Sequence, residues 1–304
     1  MNSPEPIQTP NYLRGILFVI VTTLLWGFLP IILKIGLNEF SSGTIAWFRF
    51  FFAFIVLFLI LSIKGSQPSR FLKTPPRLGV MAGVSLAVNY FGMTESVHLS
   101  SPANAAILIQ LAPVMLVIVG VAFFKERVNR QQFIGFVIAA AGFSIFYQDQ
   151  LGNVKDIGLY SSATTHVVLA AVVWVVYIAC QKILSRTYSA QKLNLLVYGV
   201  AALVLTATVE WSEFSGTGWK GWTLLVVLGI NTLLAYGALA EAVKCIPLTV
   251  ISPVITLNPL ITLSAMLVLP QFSRGLLAPE TIGTGGYIGA IIAVTGVVLV
   301  LARK

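Results

Sequence analysis

Glu95 and Pro113 stand eighteen residues apart, and so do Glu241 and Pro259, each pair ending in a proline inside a long apolar run. The second pair follows the first by 146 residues, and Tyr90 and Tyr236 obey the same offset. Trp26 and Lys34 are matched by Trp174 and Lys182 at an offset of 148, and Glu126, Gly135 and Gly142 by Glu280, Gly289 and Gly296 at 154. Three sets of matches in one order indicate a chain built twice from one unit. Inside apolar sequence, such a duplication points first to secondary carriers.

The solvent follows from composition. A chain of 304 residues that is 57% hydrophobic and 10% charged cannot hide its apolar surface in one soluble core, so lipid must take most of it. Ten apolar stretches are long enough to cross a hydrocarbon slab of ~30 Å. They are expected at 14–36, 44–63, 77–97, 103–124 and 131–148, then at 158–182, 192–210, 221–243, 249–269 and 283–302. No alternating apolar and polar period favours a β-barrel. Five stretches per half is an odd number, so the second half enters from the opposite side. The expected fold is therefore an all-α membrane protein of ten transmembrane helices arranged as two inverted five-helix repeats. Residues 1–13 form a cytoplasmic N-terminal segment, 14–148 the first repeat, 149–157 an outer linker and 158–304 the second repeat. The first stretch reads as a retained helix, because no small-residue cleavage site follows it.

Placing the N-terminus inside puts fourteen of the nineteen basic residues on the cytoplasmic side, including Lys64, Arg70, Lys73, Arg77, Arg130 and Lys192. Lys34 and Arg49 lie within stretches, and only Lys155, Lys220 and Arg274 fall outside. The positive-inside rule then predicts that both termini are cytoplasmic. Glu39, Asp149, Asp156, Glu210, Glu213 and Glu280 fall in the outer loops, so the net charge of +9 records orientation in the membrane. Nothing suggests nucleic acid as a partner, since no basic and aromatic platform is left over. Cys180 and Cys245 read as free thiols near the cytoplasmic face. The two histidines are far apart, and no metal spacing, phosphate loop or nucleophile elbow occurs, so neither an enzyme nor a cofactor is expected.

The motifs resemble a known family. The run "LAPVMLVIVGVAFFKERVNRQQFIGFVIAAAGF" closes the first half, and "TLNPLITLSAMLVL" followed by "APETIGTGGYIGAIIAVTG" closes the second. The order Pro, Lys-Glu-Arg, Gly-x6-Gly resembles the EamA family of the drug/metabolite transporter superfamily across essentially the whole chain. The second half departs by a polar, glycine-containing insertion between Leu269 and Glu280. The resemblance implies a carrier of the bacterial inner (plasma) membrane, often an exporter of amino acids or related metabolites.

Candidate site residues follow from depth and from the repeat. Pro113 and Pro259 would free the carbonyls of Ile109 and Ile255 near mid-span, where carriers coordinate cargo; the plainer reading is a packing kink. Trp26, Trp174, Tyr90 and Tyr236 are repeat-matched and lie within stretches, which suits cavity walls for apolar or planar cargo. Asn89, Gln110, Asn231 and Asn258, with Thr22, Thr23 and Thr256, add hydrogen-bonding capacity, or else join helices to each other. Arg49 has no partner in the repeat, Val197 standing at its equivalent. Its guanidinium either holds a carboxylate or phosphate of the substrate, or reaches headgroups or helix-end carbonyls. Lys34 with Glu95, and Lys182 with Glu241, are candidate gates at opposite mouths; alternatively all four snorkel. His166 is a candidate proton carrier, with a packing histidine as the alternative. The glycine rows would bring the fifth and tenth stretches into the fixed contact between halves, or serve dimerisation.

The expected function is alternating-access transport of small metabolites, amino-acid-like or amphiphilic, with export favoured by the resemblance. The alternatives are a lipid-handling flippase, which should show a polar lateral groove, and a non-transporting sensor or interaction subunit. The expected partners are a small-molecule substrate, membrane lipid and a coupling proton, in a monomer or homodimer.

Overall fold

A computed structural model describes residues 12–112, 114–115, 129–153, 156–185, 187–246, 251, 254–272, 275, 277–280 and 282–301. Pro113, Glu126 and Pro253 lie outside the described residues, and so does the side chain of Lys182. In lipid a backbone N–H finds no water, so each apolar stretch meets its hydrogen-bonding needs within itself by turning helical. The helices are α1 (Tyr12–Gly36), α2 (Ser42–Ile63), a short α3 (Pro68–Lys73), α4 (Arg77–Leu99), α5 (Pro102–Leu108) and α6 (Arg130–Asn153). They continue as α7 (Ile157–Leu184), α8 (Ala190–Leu205), a short α9 (Ser212–Ser215), α10 (Trp219–Cys245), α11 (Asn258–Phe272) and α12 (Thr284–Leu301). No strand occurs among the described residues. Starts are set by local chemistry. Ser41, Ser101 and Asp156 cap α2, α5 and α7 by accepting from the backbone N–H three residues on, and Pro102 occupies the first turn of α5.

Against the expectation of ten spans, six helices among the described residues are long and apolar enough to cross a membrane, with α11 and α12 as shorter apolar helices. Helix α4 has 23 residues but is not among the six. Its buried faces carry Ser85, Asn89, Thr94 and Ser96, because protein surrounds it where lipid would demand leucine. Large apolar side chains such as Leu13, Phe133, Leu203 and Phe272 stand exposed on the outward faces of other helices, as an integral membrane protein requires.

The proline-bearing stretches are interrupted. Helix α5 stops at Leu108 and the chain turns at Ile109 and Gln110, while a turn at Thr256 and Leu257 precedes α11. Pro259 therefore occupies the second position of α11 rather than a helix centre, a place where the missing N–H costs nothing. The expected free carbonyls also shift: Ile109 O accepts from Ala112 N at 2.9 Å, whereas Thr256 O accepts from the Gln110 side chain at 2.8 Å. Gln110 Nε2 also lies 3.4 Å from Asn258 Oδ1, so one side chain stitches the two breaks together.

The ends of the helices define two faces. Lys34, at the end of α1, donates to the last carbonyls of α4. Ser41 donates its backbone N–H to Glu213, and Tyr160 donates to Asn104. Asp149, on the last turn but one of α6, accepts from Gly283 N ahead of α12 at 2.9 Å. These contacts gather Glu39, Glu95, Asp149, Glu210, Glu213 and Glu280 on one face, called the acidic face below. Lys64, Arg70, Lys73, Arg77, Arg130 and Lys192 lie at the opposite ends of the helices, on the basic face.

Helices α6 and α12 touch backbone to backbone through their glycines. A Cβ on Gly142 would run into Ala293 N, and one on Gly296 into Ala139 N; one on Gly289 would come within 2.5 Å of Phe146 N. No side-chain adjustment relieves such a clash, so the helices must separate. Gly296→Leu should therefore cost about 1–3 kcal/mol or more, the range of overpacked cores. Thermal unfolding in detergent should show a lowered midpoint for Gly296→Leu and a nearly unchanged one for Gly237→Ala, where no neighbour lies within 4 Å.

Candidate substrate-binding site

Midway between the faces, seven aromatic side chains and one arginine gather. Phe50 of α2 packs against Tyr90 of α4 with centroids 4.4 Å apart and against Tyr198 of α8 at 5.9 Å. Tyr198 meets Tyr236 of α10 at 6.1 Å, and Tyr236 meets Trp26 of α1 edge-on at 5.5 Å. Tyr90, Tyr236 and Tyr177 of α7 belong to the same buried cluster, and Trp174 packs against it. At 1.5 Å per residue, Trp26, Tyr90 and Arg49 lie about 10–15 Å from the acidic ends of their helices, which is mid-depth in a ~30 Å slab.

Arg49 enters this box from α2 and is 2% exposed. Its Nε donates to Thr232 Oγ1 of α10 at 3.0 Å, and its guanidinium stands 4.6 Å from the centroid of the Tyr90 ring. Nη2 is buried without a partner. The alternative roles of reaching the headgroups or clamping helix ends do not describe this residue, which is held by a hydroxyl and an aromatic face at the centre of the protein. A guanidinium stays ionised and presents five donors in a fixed plane, so a buried one with an idle nitrogen is built to receive an acceptor.

Sequence-matched positions supply most of the box. Trp26 pairs with Trp174 and Tyr90 with Tyr236; Phe50 pairs with Tyr198 at the 148 offset. Tyr177, Tyr198, Phe50 and Thr232 were not singled out by sequence reasoning. The Phe50 and Tyr198 match was available in the offset, masked by the difference of one hydroxyl. Thr232 and Tyr177 stand opposite Leu86 and Leu29 in the repeat, so no sequence signal marked them.

The amides behave as helix fasteners. Asn89 Nδ2 donates to Ala170 O at 2.9 Å, joining α4 to α7, and Asn231 Nδ2 donates to Leu25 O at 2.9 Å, joining α10 to α1. Thr22 Oγ1 lies 3.3 Å from Ala235 O, and Thr262 Oγ1 donates to Gly27 O at 2.6 Å. The second of these satisfies α1 close to Pro30, which removes the N–H that Trp26 O would have received. His166 Nδ1 lies 2.8 Å from Ser162 O in its own helix, and the His166 backbone packs against Gly92, so its ring sits in a helix contact apart from the box.

Lys34 is arranged differently from the expected gate, whereas the Lys182 side chain of the other candidate gate lies outside the described residues. Lys34 Nζ donates to Val97 O at 2.8 Å, His98 O at 3.2 Å and Ser100 O at 3.0 Å. Its three protons are thus taken by the end of α4, where the helix dipole favours a cation, and the Lys34–Glu95 ion pair is not formed in this conformation. Across from it, Glu280 Oε1 accepts from Ala103 N at 3.1 Å, and Oε2 is buried without a partner. Glu241 lies 3.9 Å from Arg14 in an exposed pair on the basic face. Glu95 instead lines a cavity of about 460 Å³ in the acidic face with Glu39, Glu210, Glu213 and His98. Between that cavity and Arg49 lies a buried apolar layer made of Leu33, Phe40, Ile45, Val97, Leu225 and Leu228. A second, lateral groove of about 650 Å³ runs between α1 and α11 and is lined by apolar side chains, with only Thr23 and Ser264 contributing hydroxyls.

The chain has relatives in sequence and in fold. The chain is 30% identical over 288 residues to an uncharacterized transporter of Haemophilus influenzae, covering 94% of each. It is 30% identical to the uncharacterized inner membrane transporter YhbE of Escherichia coli, covering 93% of this chain and 89% of that one. A crystal structure of an 18% identical protein superposes with a TM-score of 0.64 over 95% of this chain and 99% of that one, which shows a shared fold. The profile of the EamA-like transporter family matches residues 13–148 and again residues 162–302, and the chain belongs to that family.

Proposed function

We propose that the protein is a secondary carrier that moves small metabolites, amino-acid-like or amphiphilic, by alternating access between two inverted five-helix repeats, from the basic, cytoplasmic face to the acidic, outer one. The observation that carries this reading is the mid-depth box, whose walls come from matched positions of both halves and which an apolar layer separates from the acidic face. Mirror contacts support the repeat. Asn89 reaches Ala170 while Thr22, the counterpart of Ala170, reaches Ala235, the counterpart of Asn89. Gln110 holds the carbonyl of its own counterpart, Thr256. Gly142 against Ala293 is repeated as Gly296 against Ala139. A site on such an axis can face either side when one half rocks on the other, with the α6–α12 contact as pivot. The flippase alternative asked for a polar lateral groove, and the groove between α1 and α11 is apolar.

Export draws on the charge pattern. Glu39, Glu95, Glu210 and Glu213 surround the outer cavity and slow the approach of anionic solutes from that side, while the basic face concentrates them. Overproduction in cells should enrich one or more metabolites in the medium relative to the cytosol. Trp26→Ala with Tyr236→Ala, at equal membrane abundance, should reduce that enrichment at least tenfold, as measured by mass spectrometry. Absence of flux in either direction in reconstituted vesicles would leave a sensor or interaction subunit as the better reading.

The outer mouth is held shut by Lys34 on α4 and Glu280 on α5. Burial raises the Glu280 carboxyl to about 7, against the lowering effect of Ala103 N, the Ser101 hydroxyl and the Lys34 ammonium. A carboxyl whose closed-state value lies above its ordinary 4.5 binds its proton more tightly when shut. Closure is therefore favoured most below pH 4.5 and weakens as pH rises through about 7. Thermal unfolding from pH 5 to pH 8 should show the wild type falling by a few degrees relative to Glu280→Gln; parallel curves would remove the latch. Proton coupling is assigned to this carboxyl in preference to His166.

A further inference from the structure

We propose that Arg49 is the anchor for a carboxylate on the transported solute, so that the carrier selects organic anions or zwitterions with a flat apolar body. The proposal rests on the carrier reading and names its substrate class.

The argument starts from an unbalanced charge. Arg49 is 2% exposed, and no salt bridge to it occurs among the described residues. Glu39, Glu95, Glu210 and Glu213 line the cavity in the acidic face, beyond the apolar layer. A guanidinium so placed is costly to maintain, and such residues persist in membrane proteins at substrate and ion pathways. Its present partners are both neutral: the Thr232 hydroxyl at 3.0 Å and the face of Tyr90 at 4.6 Å. Each orients the side chain without cancelling its charge. The hydroxyl fixes Nε, the ring fixes the guanidinium plane, and Nη2 is left idle. A carboxylate is the ligand that both neutralises a guanidinium and matches its planar donors.

The surroundings say what the carboxylate is attached to. Tyr236 packs against both Trp26 and Tyr198 and shares a buried cluster with Tyr90, whose ring lies against the guanidinium. A ligand on Nη2 therefore meets aromatic faces and edges, which favour planar apolar groups, and phenolic hydroxyls that can serve a second polar atom. Phosphate or chloride would satisfy the charge and leave the rings unused. Asymmetry strengthens the assignment. The walls are repeat-matched, whereas Arg49 and its holder Thr232 replace Val197 and Leu86 of the opposite half. A fold built from matched halves has no structural need for this one unmatched charge at its centre.

Purified protein in lipid nanodiscs tests the anchor without requiring flux. Thermal unfolding is followed with benzoate, its uncharged analogue benzamide, the cation benzylamine, and inorganic phosphate and chloride. Benzoate should raise the midpoint in a saturable way at concentrations at least tenfold below those needed for benzamide or benzylamine. Arg49→Gln should abolish that difference, and Arg49→Lys should restore part of it. Equal effects of benzoate and benzamide on the wild type would overturn the proposal even if Arg49→Gln does not fold. So would undiminished benzoate protection in a folded Arg49→Gln. Phosphate or chloride protecting as well as benzoate would reduce the site to a general anion site and overturn the organic-acid assignment. The two readings separate in reconstituted vesicles. Benzoate discrimination without flux of any solute sinks the carrier and leaves the anchor. Flux of an uncharged solute that survives Arg49→Gln sinks the anchor and leaves the carrier.

Discussion

Helices in lipid gain little by hiding apolar surface from one another, so the arrangement of this protein depends on where backbones can come close enough for dispersion and hydrogen bonds to hold them. The closest approach is between α6 and α12, where Gly135, Gly142, Gly289 and Gly296 each face backbone atoms of the other helix. No side chain intervenes there, so that contact has no rotamers with which to adjust. A Cβ at any of these glycines would meet the backbone of the other helix, so this contact has little room to deform.

The remaining helices are joined by single side chains acting on carbonyls. Asn89, Asn231 and Thr262 each reach a carbonyl on another helix, and Gln110 bridges two breaks in the chain. Such bonds contribute roughly 0.6 kcal/mol each in a membrane. They are strong enough to set register and weak enough to be exchanged when halves rock. The contrast between a tight glycine seam and a set of replaceable fasteners suits the rocking motion proposed above.

Much of this was legible in the sequence because lipid imposes strict rules on composition. The ends of α2, α7, α10 and α12 fall within about three residues of the expected spans, since apolar runs end where caps and charges begin. The glycine rows also named the α6–α12 contact. What the sequence hid were partners that are backbone atoms. Lys34 was read against Glu95, yet its ammonium sits on the carbonyls of Val97, His98 and Ser100, which have no signature in a list of side chains. Pro259 was read as a mid-helix break, yet the turn at Thr256 and Leu257 comes first and turns the proline into a helix starter. Glu280 was known as an outer-loop acid and a repeat marker, and its place against α5 became visible only when α12 was set beside α6. Thr232 and Tyr177 escaped notice because the repeat, the best guide to the site, is blind to positions it does not match.

That blindness is itself informative about how a duplicated carrier acquires specificity. Matched residues must serve both orientations of the site, so the pairs Trp26 with Trp174, Phe50 with Tyr198 and Tyr90 with Tyr236 can supply shape and an aromatic surface but no direction. Charge is different. One guanidinium on α2, held by one hydroxyl on α10, makes the box polar along a single line while leaving the matched walls intact. The carboxylates Glu95, Glu39, Glu210 and Glu213 lie on the acidic face, so the proposed anionic cargo meets like charge there whether it enters or leaves. In the function proposed above, the matched walls serve the motion and the unmatched Arg49 and Thr232 serve the choice of cargo.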